Sequence, residues 1–314
     1  MKLRWRKIIL AVFLIIVALP VLFVLAALAS FSIMDRTNGS IVSSGMTRRY
    51  LLHVPKNIDR SKETPLVISI HPAATWPAVQ ESISRWNDLA DEHGFIVVYP
   101  AGSGAFFGGF GAGPHVWPGG RDLERDVKFI SDLINKLQAA YNIDPRRIYA
   151  NGMSNGGAMA VALSCVLPDR IAAVGAVAAA LPPTPGRDEC GHSEPIPTVL
   201  FHGTADKMAP YQGGKSPIAP GPFPNIQDWT ALVAQRNQCK DTPIETRISP
   251  MIRRRAYTNC ANNADVILYT IEHGGHTWPG GEHLAEWIAG RTSDDINATD
   301  VMWQFFVLHP LAAK

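Results

Sequence analysis

Six short apolar runs recur along the chain with helical patterns between them: LVISI at 66–70, FIVVYP at 95–100, RIYA at 147–150, IAAVGAVA at 171–178, PTVLF at 197–201 and DVILYTI at 265–271. None alternates cleanly with polar residues, so both faces of each are expected to be buried, as in parallel strands. TRRYLLHVP at 47–55 does alternate and predicts an edge strand, followed by the turn NIDRSKETP. The clearest helix is DLERDVKFISDLINKLQAAYN, where Val127, Ile130, Leu133, Ile134 and Leu137 share one face. Strands alternating with helices of this length predict an α/β fold, a mostly parallel sheet covered by helices on both sides.

Two stretches do not fit a sheet. Residues 101–120 hold eight glycines among Phe106, Phe107, Phe110 and Trp117, and residues 210–226 hold five prolines and three glycines. Each follows a predicted strand, where α/β proteins place ligand-binding loops. Trp76, Phe106, Phe107 and Trp117 are candidate walls of a substrate pocket.

The N-terminus has a different pattern. MKLRWRK carries four positive charges, and the 22 residues from Ile8 to Ala29 carry none. As a helix that run is about 33 Å long, enough to cross a hydrocarbon core of roughly 30 Å. Residues 1–34 therefore read as an uncleaved anchor or a cleaved signal, residues 35–45 as a tether, and 46–314 as a catalytic domain. Either way the basic flank stays inside and the rest is exported. Without residues 1–29, 25 basic side chains face 27 acidic ones, so a nucleic-acid partner is not indicated. The four cysteines, Cys165, Cys190, Cys239 and Cys260, suit an oxidising compartment. Sequential pairing would close the shortest loops. Nothing in the pattern specifies an oligomeric state.

The candidate chemistry centres on GMSNGG at 152–157. Its Ser154 follows the strand RRIYAN and precedes GGAMAVALSCVL, the strand, turn and helix order of a nucleophile elbow. A serine needs an imidazole to take its proton and a carboxylate to fix that imidazole. FHGTADKMAPY supplies Asp206 and TIEHGGHTWPGG supplies His276, each just past a strand. The order serine, acid, histidine is that of α/β-hydrolases. His273 is an alternative base, and His273 with His276, with Glu272 and Glu282 nearby, is a conceivable metal pair, although the HExxH pattern is absent. His71 and His202, at strand ends, read as packing or supporting histidines. An oxyanion hole needs two backbone donors: Asn155 after the nucleophile, and one from ISIHPAATWP. Pro72 has no N–H, which leaves Ala73 or Ala74, with Ala73 preferred.

These segments resemble the secreted esterases grouped as polyhydroxybutyrate depolymerases and feruloyl or acetyl-xylan esterases. The likeness is carried by PLVISIH, GFIVVYPAG, DVKFISDLI, NIDPRRIYANGMSNGGAMA, IPTVLFHGTADKMAPYQGG and VILYTIEHGGHTWPGG. It implies an α/β-hydrolase fold, extracellular hydrolysis of ester substrates, some polymeric, and no cofactor or metal. It also implies Ser154, Asp206 and His276 as the triad, Trp278 as an aromatic wall beside the substrate, and a Cys239–Cys260 bridge. Pro72 departs from the family, which usually has glycine after the strand histidine. A peptidase on the same triad and an inactive polymer-binding relative are the competing functions.

Overall fold

The computed structural model describes residues 5, 13, 18–23, 33–105, 115–117, 123–180, 194–217 and 221–312. Ten strands form one sheet among these residues: β1 Gly39–Ser43, β2 Met46–His53, β3 Thr64–Ile70, β4 Ile96–Pro100, β5 Ile143–Met153, β6 Ala173–Val177, β7 Thr198–Gly203, β8 Ile244–Ser249, β9 Ile252–Tyr257 and β10 Val266–Ile271. Their order is β1-β2-β4-β3-β5-β6-β7-β10-β9-β8. The run from β4 through β3, β5, β6 and β7 to β10 is parallel. Both flanks are antiparallel.

All six predicted parallel strands are present, and burial explains their uninterrupted apolar character. In β3 every residue is buried. Leu66, Ile68 and Ile70 enter one core and Val67 the other, as the two-residue period of a strand requires.

Helices cover both faces: α1 Pro77–Ser84, α2 Trp86–His93, α3 Leu123–Ala140, α4 Asn155–Val166, α5 Ile226–Arg236, α6 Glu286–Ala289 and α7 Ala298–Val307. The stripe predicted on α3, Val127, Ile130, Leu133, Ile134 and Leu137, packs into the first core. The second core is closed by stacked rings. Phe95 lies on Trp303 with centroids 4.0 Å apart, and Phe306 lies on Tyr149 at 4.9 Å. Each such pair contributes about 0.5–1.5 kcal/mol beyond its burial.

Two parts of the flanks differ from the sequence reading. Gly39–Ser43, expected to be tether, pairs with Met46–His53, so β1 is the edge and β2 lies inside it. GSIVS has too few apolar positions to announce a strand alone; a partner two residues away supplies its hydrogen bonds. The hairpin β8–β9 was not expected because IRRRAY spends its middle on arginines, of which Arg253 pairs with Glu272 and Arg255 with Glu245.

Cys239 and Cys260 are joined, tying the end of α5 to the segment before β10, as the resemblance implied. Cys165 is buried in α4, and its expected partner Cys190 lies outside the described residues. So does most of the apolar run from Ile8 to Ala29. No helix among the described residues is long and apolar enough to cross a membrane.

Candidate active site

Ser154 stands between β5 and α4 with φ 54° and ψ −124°, a backbone that non-glycine residues seldom adopt. Such strain persists only where its surroundings enforce it. Here the Ser154 N–H donates to the Val177 carbonyl at 2.8 Å, and glycines on both sides let strand and helix close up. A Cβ on Gly152 would strike the backbone of Gly156, and one on Gly156 would strike the carbonyls of Ile70 and His71. The serine hydroxyl is therefore held at the N-terminus of a 12-residue helix, where negative charge is stabilised. Its Oγ makes no hydrogen bond among the described residues.

The loops that carry Asp206 and His276 are joined to each other. Thr204 N–H donates to Ile271 O and Ala205 N–H to Gly274 O, both at 2.9 Å, extending the β7–β10 pairing past the strands. A side chain on Gly203 would collide with Gly274, so the two loops touch only because both are glycine there. His276 Nδ1 lies 2.8 Å from Asp206 Oδ2. Asp206 Oδ1 accepts the N–H groups of Met208 at 2.9 Å and Ala209 at 2.8 Å. The carboxylate is thus fixed on one oxygen by backbone and aimed at the imidazole with the other. The backbone N–H of His276 donates to the Ala289 carbonyl at 2.6 Å.

A model described as Phospholipase/Carboxylesterase matches residues 120–217, which contain Ser154 and Asp206. NocK of Nocardia uniformis subsp. tsuyamanensis, named as an esterase, is 28% identical over 86% of this chain and 82% of its own length. Feruloyl esterase B of Piromyces equi is 31% identical over 73% of this chain, which spans only 42% of that relative. The solved acetyl xylan esterase from Aspergillus awamori superposes with a TM-score of 0.55 at 13% identity, over 76% of this chain and 93% of that one. The chain has the α/β-hydrolase fold and is similar in sequence to named esterases.

Asn155 and the loop after β3 meet beside Ser154. The side-chain amide of Asn155 grips the backbone of Trp117, accepting its N–H at 2.7 Å and donating to its carbonyl at 3.0 Å. The Ala74 N–H is spent on the His115 carbonyl at 2.9 Å, and Ala74 itself has φ 58°. That leaves Ala73 as the candidate second oxyanion donor.

His71 holds that loop in place. Its Nε2 accepts the Gly102 N–H at 3.0 Å, so Nδ1 carries the proton and donates to the Pro72 carbonyl at 2.8 Å. Thr75 Oγ1 donates to the same carbonyl at 2.7 Å, and Trp117 Nε1 to the His71 carbonyl at 3.1 Å. Pro72 is therefore accommodated by its carbonyl, which anchors two side chains. Ala101–Ser103 is steadied in turn by a buried pair: Arg48 Nη2 donates to Asp126 Oδ1 at 2.6 Å and to the Ala101 carbonyl at 2.9 Å.

Complete burial pushes the His71 imidazole down to about 3. The unfolded chain then takes up a proton below about pH 6.5 that the folded chain refuses, so this contribution is lost as pH falls from 6.5 toward 3. His71→Gln is expected to shrink the fall in unfolding free energy between pH 7 and pH 5 by about 2 kcal/mol. Urea titrations at the two pH values measure it, and an unchanged fall contradicts the assignment. His202, also lowered by burial, places Nε2 at 2.7 Å from the Ala209 carbonyl and steadies the loop that carries Asp206.

Other expectations shift. Trp278, expected beside the substrate, is fully buried in the second core, with Nε1 donating to Thr299 Oγ1 at 3.0 Å. The chain turns inward after His276, so the indole pegs the histidine loop to α7 instead of facing a cleft. Trp76 and Trp117 are also buried, next to the loop after β3. Phe106 and Phe107 lie outside the described residues. His273 sits exposed in the turn with φ 59°, and Asp206 is engaged by His276 instead. Of the carboxylates near the conceivable His273–His276 metal pair, Glu272 is engaged by Arg253 and Glu282 by Ser82. His115 stands in no recognisable motif, yet it exchanges backbone bonds with Ala74 and Thr75; its glycine-rich surroundings in sequence hide that contact.

Proposed function

We propose that the protein is an extracytoplasmic serine esterase acting through Ser154, His276 and Asp206. The observation that supports the reading is a strained serine turn at the end of β5 together with a buried imidazole past the end of β10 that a carboxylate holds at 2.8 Å.

In this reading Ser154 Oγ attacks the ester carbonyl while His276 Nε2 takes the hydroxyl proton. The carbonyl π bond opens, and its oxygen, now negative, is held by the N–H groups of Asn155 and Ala73. Asp206 keeps the proton on Nδ1 and stabilises the imidazolium. The tetrahedral adduct collapses, the C–O bond to the alcohol breaks, and His276 returns its proton to the leaving oxygen. Water then repeats the sequence, releasing the acid and restoring the serine. Export follows from the N-terminal basic and apolar segments and suits the Cys239–Cys260 bridge. The substrate classes that the relatives' names supply are feruloyl, acetylxylan and poly(3-hydroxyalkanoate) esters.

Turnover of p-nitrophenyl butyrate against the matching p-nitroanilide tests the reaction class. The ester is expected to be hydrolysed at least a hundredfold faster; a ratio favouring the anilide contradicts the proposal and indicates an amidase.

A further inference from the structure

Trp287 is 87% exposed on α6, with Ile288 at 53% and Leu284 at 36% beside it in sequence. Contiguous bare apolar side chains mark an interaction surface more often than scattered ones do. The segment is firmly mounted. The Ala289 carbonyl holds the His276 N–H, the Glu282 N–H donates to the Ile83 carbonyl of α1 at 3.2 Å, and Ser82 bonds the Glu282 carboxylate.

The N-terminal chain reaches the same helix. Arg36 pairs with Glu81 of α1. Asp35 accepts two hydrogen bonds from Arg49 Nη2, at 2.9 and 3.0 Å, and lies 3.6 Å from His115 Nε2. His115 in turn is bonded to the loop that carries Ala73. The chain therefore leaves the domain beside that loop, and α1 connects its exit to the Trp287 segment.

The residues between Ala29 and Asp35 span at most about 20 Å when fully extended. A surface that holds the apolar run from Ile8 to Ala29 cannot then be far from the exit. Tryptophan beside aliphatic residues is the composition favoured at the headgroup level of a bilayer. We propose that the face carrying the site's mouth rests on the lipid bilayer that holds the protein's own N-terminal run, with Trp287, Ile288 and Leu284 seated in its interface. The location of the mouth rests on the esterase reading; the seating rests on the Arg36–Glu81 pair and on the bonds that mount Glu282 on α1, which that reading does not use.

The test inserts the full-length chain into phosphatidylcholine vesicles with and without bromine on shallow acyl carbons. The fluorescence difference between the wild type and Trp287→Phe isolates the indole at 287. Bromine is expected to remove at least half of that difference signal. A signal that bromine leaves untouched, or a full-length chain that does not stay with the vesicles, overturns the proposal. Turnover of a soluble p-nitrophenyl ester in the same preparation separates the two readings. Quenching without turnover contradicts the esterase and supports the seating, and turnover without quenching does the reverse.

Discussion

Ser154→Ala is expected to lower turnover of a short p-nitrophenyl ester at least about a thousandfold, with substrate affinity and fold retained. The loss arises because no other group at the turn can form the bond to the acyl carbon. What remains is the contribution of the oxyanion donors and of binding. A companion change separates chemistry from architecture. Ser154 holds φ 54°, which costs on the order of 1–3 kcal/mol for a residue with a side chain, whereas glycine gives up about 0.5–1 kcal/mol of chain entropy. Ser154→Gly is therefore expected to be as inactive as the alanine variant but more stable by about 1 kcal/mol, measured by urea unfolding. Retained turnover in Ser154→Ala removes the serine from the mechanism. A glycine variant no more stable than wild type removes the strain.

Asp206→Asn is expected to cost about ten thousandfold in turnover, with little change in stability. The direction follows from the hydrogen bonds around the carboxylate. Oδ1 accepts from Met208 and Ala209, so an asparagine must place its carbonyl there. Its NH2 then faces His276 Nδ1, where Asp206 Oδ2 stood at 2.8 Å. Two donors cannot meet, so the imidazole moves its proton to Nε2, the nitrogen needed to receive one from Ser154. Activity should recover in part as pH rises, because hydroxide can then remove the serine proton. Steady-state kinetics from pH 7 to 10 measures both. A loss below tenfold at pH 7 contradicts the role given to Asp206.

The parts legible in sequence are those where one physical demand fixed the residue types. Strands buried on both faces have to be apolar throughout, so the six parallel strands stood out, as did the stripe on α3. The glycines at 152 and 156 and the serine between them are readable because no other residues let strand and helix approach so closely. The Asp206–His276 pair was readable from its position past strand ends. What escaped depends on partners distant in sequence. The β8–β9 hairpin is held by cross-strand and ion pairs among charged residues. The grip of Asn155 on Trp117 joins residues 38 apart, and the bond that occupies the Ala74 N–H comes from distant His115. Trp278 misled because closeness in sequence to His276 says nothing about which way the chain turns next.

The central claim is that the hydroxyl at 154 is made nucleophilic by the imidazole at 276. A fluorophosphonate probe reports this directly, since its P–F bond is broken by an activated serine oxygen while the imidazole takes the proton and fluoride departs. Peptide mapping by mass spectrometry is expected to find one phosphonyl group, on Ser154, in the wild type, and labelling slowed at least a hundredfold in His276→Ala. A label on another residue, or Ser154 labelled equally fast without the imidazole, contradicts the account.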